Sequence, residues 1–394
     1  MPIKLSNRVN LVKPSPTLAV TARAKALRAE GKDVIGLGAG EPDFDTPIHI
    51  KTAAIDAIQS GMTKYTAVDG TVALKTAIIN KFKTDNGLSY SQDQILVSCG
   101  GKQSMFNLCQ ALLNDGDEVI IPAPYWVSYP DIALLAGGQP VIVEARADQN
   151  FKILPAQLEQ AITAKTRLFI INSPSNPSGV AYRRDELIAL AEVLKKYPNI
   201  LIATDDMYEH IIWYEQPFEN ILTVCPDLYK RTVVLNGVSK VYSMTGWRIG
   251  YAGGPEQLIK AMKKVQSQST SNPASISQAA ATAALAGDQS CIQPMLSAFK
   301  ARHDYVVEAL NNIDGVSCLP SDGTFYSFPS VAGLIEKTQS VSNDVELAEY
   351  LLTKIGVALV PGTAFGLSGH LRLSYATSME NLQESIKRIA NLYR

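Results

Sequence analysis

Residues 166–209 constrain the fold more tightly than any other stretch. An apolar run, Phe169 to Ile171, opens into a loop reading SPSNPSG. A helical pattern follows over residues 185–197, with Leu187, Leu190, Ala191 and Leu194 on one face and Pro198 as its stop. A second apolar run, Ile200 to Ala203, then ends in Asp205, Asp206 and Tyr208. Strand, helix and strand in so short a span return as a right-handed parallel crossover. Ligands of parallel sheets bind outside the carboxyl ends of the strands. The polar residues just beyond each apolar run are therefore the site candidates, beginning with Asn176, an amide able to donate to an oxyanion, and Asp205.

Three more runs end in the same manner. QILVSCGGKQSMFNLCQALL passes from a strand, Ile95 to Val97, through Gly100 and Gly101 into an amphipathic helix bearing Phe106, Leu108, Cys109, Leu112 and Leu113. The free N–H groups at that helix start make either an anion site or a plain tight turn. It is no Walker loop, because Leu96 stands where the first glycine belongs and Gln103 follows Lys102. DEVIIPAPYWVSY leads into Tyr125, Trp126 and Tyr129, aromatics that serve the core or, at Trp126, offer a face to a flat ring. RTVVLNGVSKVYSMTGWRIGY delivers Ser239 and Lys240 at the end of Val233 to Leu235. Among Met244, Thr245, Gly246, Trp247 and Ile249 an ammonium would be poorly solvated, its pKa would fall, and it could act as a nucleophile. The alternative is a lysine that begins a loop and faces water. Arg248 offers a fork suited to phosphate.

Gly36, Gly38 and Gly40 resemble the start of a dinucleotide fingerprint, but Glu41 replaces its last glycine and Pro42 follows where a helix should open, which argues against a nicotinamide dehydrogenase. A formal charge of -1 gives no electrostatic reason to expect nucleic acid or an anionic membrane as partner. Five widely spaced cysteines without C-x-x-C read as reduced thiols of a cytoplasmic protein. The four histidines lack metal-ligand spacing, so no metal is expected. No apolar run approaches the ~20 residues that span a bilayer.

Taken in order, KPSPT, AGEPDFDTP, GGKQ, PYWVSY, SPSNPSG, TDDMYE, SKVYSMTGWRIGY, VPGTAFG and RLSYATS resemble the motifs of the class I aminotransferases, which hold pyridoxal 5'-phosphate (PLP) as a Schiff base. The resemblance covers essentially the whole chain. It is greatest to the bacterial aspartate aminotransferase branch that meets the distal carboxylate with a lysine at the GGK turn. It implies an α/β fold of PLP-dependent type I, a mainly parallel seven-stranded sheet with a smaller α+β domain, and an obligate homodimer. Lys240 would be the Schiff-base lysine and proton carrier. Asp205, chosen over Asp206 for its D-x-x-Y spacing to Tyr208, would hold the pyridine nitrogen, and Asn176 and Tyr208 the ring's phenolic oxygen. Trp126 would stack on the ring. Gly101, Lys102 through its backbone, Ser239, Arg248 and Tyr65 from the other subunit would hold the phosphate. Arg372 would clamp the α-carboxylate with Gly40 against it, and Lys102, Ser15 and Thr17 would meet the side-chain carboxylate. Gly237 departs from members that carry serine there, which puts one phosphate contact in doubt.

Bland readings stand beside three of these residues. Tyr65 could be a surface aromatic, Lys102 a helix-start lysine facing solvent, and Arg372, between Leu371 and Leu373, the outward residue of an edge strand. The expected division is an N-terminal segment (1–45) packing with the small domain, a PLP-binding domain (46–295) and a small domain (296–394). Within the last, GVSCLPSDGTFYSFPS is expected as antiparallel strands, VALVPG as one strand, and the final helix from Thr377 with a Thr377/Glu380 capping box. The expected reaction exchanges an amino group between L-aspartate and 2-oxoglutarate. Alternatives are a prephenate/glutamate or aromatic preference and a PLP lyase, although an α-carboxylate clamp argues against decarboxylation. A PLP-sensing transcription regulator would need an appended DNA-binding module, and no basic recognition helix precedes the glycine segment.

Overall fold

The computed structural model describes residues 3–214 and 216–392; the outer limits of the expected first and last domains lie outside these residues. In chain order the strands are β1 (Ile35–Gly36), β2 (Ile95–Ser98), β3 (Glu118–Ala123), β4 (Gln139–Glu144), β5 (Thr166–Asn172), β6 (Leu201–Asp205), β7 (Thr232–Gly237), β8 (Gly250–Gly253), β9 (Tyr326–Ser327), β10 (Val357–Ala358), β11 (Val360–Pro361) and β12 (Leu371–Ser374). Seven of them form one sheet in the order β2-β8-β7-β6-β5-β3-β4. All run parallel except β8, which is antiparallel to both β7 and β2. This is the mainly parallel sheet expected from the strand–helix alternation.

Helices cover both faces, so the central strands are apolar throughout rather than alternating, and every residue of β7 is buried. One face packs Phe169, Ile171, Ile202 and Val234 against Leu187, Leu190 and Leu194 of the helix Arg184–Lys195. The other packs Leu168, Ile170, Ala203, Val233 and Leu235 against Met105, Leu108 and Cys109 of the helix Gly101–Leu112. A further core gathers Phe299, Val306, Leu351, Leu371, Leu373 and Ile386 with Ile35 and Leu37 from the N-terminal part of the chain. The register of β1 on β10, Ile35 opposite Val357, ties that segment to the C-terminal elements.

Three local expectations are corrected. GVSCLPSDGTFYSFPS forms only β9 and isolated bridges such as Ser317 with Ser330, because Pro320, Gly323 and Pro329 interrupt any longer ladder. VALVPG is two short strands, one pairing with β1 and the other with β12. The last helix, Met379–Ala390, is capped by Ser378, whose Oγ accepts from Asn381 N, so the Thr377/Glu380 box does not form. Thr377 instead accepts from the Asn381 side chain. A five-residue helix, Asn7–Leu11, was not expected, and Pro16, inside the KPSPT motif, is the first residue of the helix Pro16–Ala29. Among the described residues no helix is long and apolar enough to cross a membrane.

Candidate active site

The carboxyl ends of β2, β3, β5, β6 and β7 open into one cavity of about 380 Å³, closed on its other sides by Ser15, Thr17, Leu18 and Gly40 and by Tyr326 and Arg372 of the small sheet. Of the residues singled out from sequence, Ser15, Thr17, Gly40, Gly101, Lys102, Trp126, Asn176, Asp205, Tyr208, Ser239, Lys240, Arg248 and Arg372 all line it. Tyr65 does not: its side chain stands 92 % exposed on the loop before the helix Val72–Asn86.

Lys240 lies three residues past the end of β7, and its Nζ donates to the Gly40 carbonyl at 2.6 Å. Burial pulls its pKa down to about 8; the positive charges of Arg372 and Arg248 act in the same direction, against the pull of Glu41 and Asp205. The amine is thus inside the fold and readily made neutral, unlike a loop lysine in water.

Asp205 ends β6 at the cavity floor. Its Oδ2 accepts from Tyr129 Oη at 2.5 Å and its Oδ1 from Met207 N at 3.4 Å. Burial raises its pKa, and these hydrogen bonds work against the rise. Asp206 points away from the cavity into a closed network, accepting from Thr204 Oγ1 at 2.6 Å and from Asn220 Nδ2 at 2.7 Å. Burial and the neighbouring Glu209 push it up to about 7. The choice between adjacent aspartates thus follows strand alternation: one faces the cavity, the next the packed side.

Asn172 closes β5, donating to the Asp205 carbonyl at 2.8 Å and accepting from Asn176 N at 2.9 Å, so it holds two strand ends together. Tyr208 and Tyr326 share a hydrogen bond at 3.1 Å, and burial followed by the neighbouring Tyr326 keeps the Tyr208 hydroxyl protonated. Arg372 is only 2 % exposed and lies on the middle strand of a three-stranded sheet, so it is not the outward residue of an edge strand. Its Nη1 donates to Asn176 Oδ1 at 2.9 Å and its Nη2 to the Gly38 carbonyl at 2.8 Å, while its plane lies between the Tyr326 and Phe365 rings. Its Nε has no hydrogen-bond partner among the described residues.

Gly100 (φ 89°) turns β2 into the helix Gly101–Leu112. A Cβ at Gly100 would collide with the Arg248 guanidinium, and one at Gly250 with the backbone of Gly100 and Gly101. Helix N–H groups and an arginine fork are therefore adjacent with no side chain between them. A Cβ at Gly237 would meet the Ile249 carbonyl and Met207 Cε at 3.1 Å, so the serine of other members would need its surroundings to yield. Lys102 Nζ lies 5.2 Å from the Trp126 ring centroid. Burial, then Arg248, lowers its pKa, with Asp131 opposing.

Sequence reasoning missed Tyr129 as more than core, Asn172 and Tyr326. A polar residue ending β5, as Asp205 ends β6, was a usable signal for Asn172; nothing local marks Tyr326. Elsewhere Asp85, Glu209 and His210 bring ligand-type atoms together, but the Lys81 ammonium pairs with both Asp85 and Glu209 and already supplies the cation.

A buried amine of lowered pKa, a floor carboxylate, a glycine cradle beside an arginine fork and an orphaned guanidinium N–H fit pyridoxal 5'-phosphate and an amino-acid carboxylate. The site is that of a PLP-dependent enzyme. The family model of aminotransferases of class I and II matches residues 32–389. The aspartate/prephenate aminotransferase of Nitrosomonas europaea is 62% identical over 395 residues, 99% of this chain and 100% of its own. Among solved structures, the aspartate aminotransferase of Rhizobium meliloti superposes with a TM-score of 0.95 at 49% identity, covering 99% of this chain and 98% of that one. The Thermus thermophilus aspartate aminotransferase with maleate does so with 0.93 at 42%, covering 99% and 100%. The chain belongs to the class I and II aminotransferases, and its cofactor is PLP.

Proposed function

We propose that this aminotransferase moves the amino group of L-aspartate to 2-oxoglutarate, giving oxaloacetate and L-glutamate. The observation that carries the reading is that, besides the Lys240 amine and the Arg248 fork assigned to the cofactor, the cavity is lined by two further cations of different kind, the buried Arg372 fork and the Lys102 ammonium, with the hydroxyl residues Ser15 and Thr17. Such a pair suits a substrate with a carboxylate at each end. The names of the Nitrosomonas europaea and Rhizobium meliloti relatives support it. The former also favours prephenate as a second acceptor, another dicarboxylate that the same two cations would suit.

PLP, when bound, supplies a protonated pyridine ring that accepts the electron pair left as the substrate Cα–H bond ionises. Asp205 would hold the pyridine N–H, and the Tyr129 hydroxyl keeps that carboxylate oriented. Asn176 and Tyr208 would donate to the ring's phenolic oxygen, Trp126 would offer its face to the ring, and Gly101, Lys102 N, Ser239 and Arg248 would hold the phosphate. Arg372 orients the α-carboxylate, Gly40 lies beside it, and Lys102 with Ser15 and Thr17 meets the distal one. Lys240, whose amine sits in the cavity beside the Gly40 carbonyl, would take up the proton from the substrate α-carbon and return it on the same face. One water would be consumed as the first substrate leaves as its 2-oxo acid, and one water returned as a second 2-oxo acid takes up the amino group by the same steps reversed.

The exposed Tyr65, with Ile48, Ile55, Ile58 and Val72 exposed on the flanking helices, supports a homodimer in which Tyr65 reaches the phosphate of the neighbouring subunit. The separate cores support the division at 46–295 and 296–394, with 1–45 on the smaller unit. The five free cysteines suit the cytoplasm. Mixing holoenzyme with a panel of amino acids and following cofactor absorbance tests the substrate: aspartate and glutamate should convert it. Conversion by aromatic or branched amino acids alone would overturn the acidic assignment.

A further inference from the structure

Two fully buried amides grip the loop that carries Tyr65. Gln278 Oε1 accepts from Thr71 N at 2.7 Å, and its Nε2 donates to Thr66 Oγ1 at 3.0 Å and to the Pro273 carbonyl at 2.8 Å, so one side chain ties both ends of the loop. Gln266 Nε2 donates to the Val68 carbonyl in the middle of the loop and to the Val97 carbonyl of β2, both at 2.8 Å. Its Oε1 accepts from Ser98 Oγ at 2.7 Å and Asn107 Nδ2 at 2.9 Å, the last residue of β2 and a buried residue of the helix that begins at Gly101. The loop is further pinned where Val97 N donates to the Asp69 carbonyl at 3.1 Å and where Gly70 (φ 105°) lies against Val97 with no room for a side chain. Satisfied core amides need no function. These two, however, lie between an exposed tyrosine that misses its own cavity and the glycine turn that lines it.

We propose that Gln266 and Gln278 are positioning residues for the cofactor phosphate that act on different sites of the dimer. Gln278 acts only in trans, by presenting Tyr65 to the neighbouring subunit. Gln266 acts both in trans through Val68 and in cis through Ser98 and the Gly100–Gly101 turn. The proposal rests on the reading of Tyr65 as a phosphate ligand across the dimer. A tyrosine on an exposed loop gives a phosphate a well-placed hydrogen bond only if the loop is already ordered, and the three amide contacts to Thr66, Val68 and Thr71 supply that order.

Hybrid dimers separate the two routes. One chain carries Lys240→Ala, leaving a single site able to capture PLP, and hybrids are isolated through two different tags. Apo hybrids are titrated with PLP and reduced with borohydride, and label on Lys240 is measured by mass spectrometry, so occupancy is read without turnover. With Gln278→Leu on the Lys240 chain, the working site receives a native loop, and capture should stay within threefold of the unsubstituted hybrid. With Gln278→Leu on the Lys240→Ala chain, capture should need roughly ten- to a hundredfold more PLP, as expected for a misplaced charge-assisted hydrogen bond. Gln266→Leu should weaken capture in both arrangements. Where the leucine variants do not fold, Gln278→Glu and Gln266→Glu replace them: both lose the donor to the loop, and because Gln266→Glu keeps the acceptor for Ser98 Oγ it should weaken capture chiefly in trans. Tyr65→Phe is the control. If it lacks the trans pattern, the cross-dimer reading fails and the proposal with it. If it follows that pattern while Gln278→Leu weakens capture in cis or in neither arrangement, the positioning proposal alone is overturned.

Discussion

Arg372→Lys keeps the charge and removes the fork. In the native site the guanidinium is fixed by Asn176 Oδ1 at 2.9 Å and the Gly38 carbonyl at 2.8 Å and lies between two rings, which leaves Nε–H and the remaining Nη hydrogens for the substrate. A lysine ammonium cannot reproduce a planar two-point contact, so one of two charge-assisted hydrogen bonds to the α-carboxylate is lost, and the Gly38 and Asn176 oxygens lose a fixed donor. One such bond is worth about 1.5–3 kcal/mol. A loss of about 2–3 kcal/mol corresponds to a fall in kcat/KM of roughly 30- to 150-fold. Because every amino acid has an α-carboxylate, the factor should be the same for aspartate and for alanine. PLP affinity should remain within threefold of native. Steady-state kinetics on holoenzyme with both substrates, alongside a PLP titration, reads all three quantities. A defect confined to aspartate, or a loss of PLP binding with kcat/KM per bound cofactor intact, would refute the assignment of Arg372 to the α-carboxylate.

Lys102→Ala should lower kcat/KM for aspartate by about ten- to a hundredfold while changing alanine less than threefold; equal losses would return Lys102 to the phosphate or to solvent. The rate of PLP capture by apoenzyme should rise with pH around a midpoint near 8 and then level, since the neutral amine is the nucleophile. Arg372→Met, by removing a positive neighbour, should move that midpoint upward, and an unchanged midpoint would contradict the electrostatic origin. The folded pKa lies below the ordinary 10.5, so the native apo state binds fewer protons between about pH 8 and 10.5. Urea melts should therefore show the contribution of Lys240 to apo stability rising with pH across that window and vanishing in Lys240→Met. Asp205→Asn should cut kcat by about a hundredfold or more with PLP retained, while Asp206→Asn leaves kcat within several-fold; the reverse order would show that the wrong carboxylate was chosen.

The large sheet was legible because parallel strands buried on both faces announce themselves as apolar runs, and because each run that matters stops at a residue of unusual chemistry: Asn176 beyond β5, Asp205 on β6, Lys240 beyond β7. The C-terminal region was less legible. Its strands are two to four residues long and are held by tertiary pairing rather than by local pattern, so β10 and β11 read as one strand. Thr377 and Ser378 are both good caps, and only the backbone entering the helix decides that Ser378 takes the role. Tyr326 was invisible because its partners, Tyr208 and Arg372, are distant in sequence and meet it only when the small sheet closes over the strand ends. Tyr129 looked like core because it is core, with the hydroxyl alone reaching Asp205.

The account depends on Lys240 being the residue that holds the cofactor. Reducing PLP-loaded protein with borohydride and mapping the pyridoxyl group by peptide mass spectrometry tests this directly. The predicted result is a single adduct at Lys240, abolished in Lys240→Ala. An adduct on Lys102 or another lysine, or none, would contradict it.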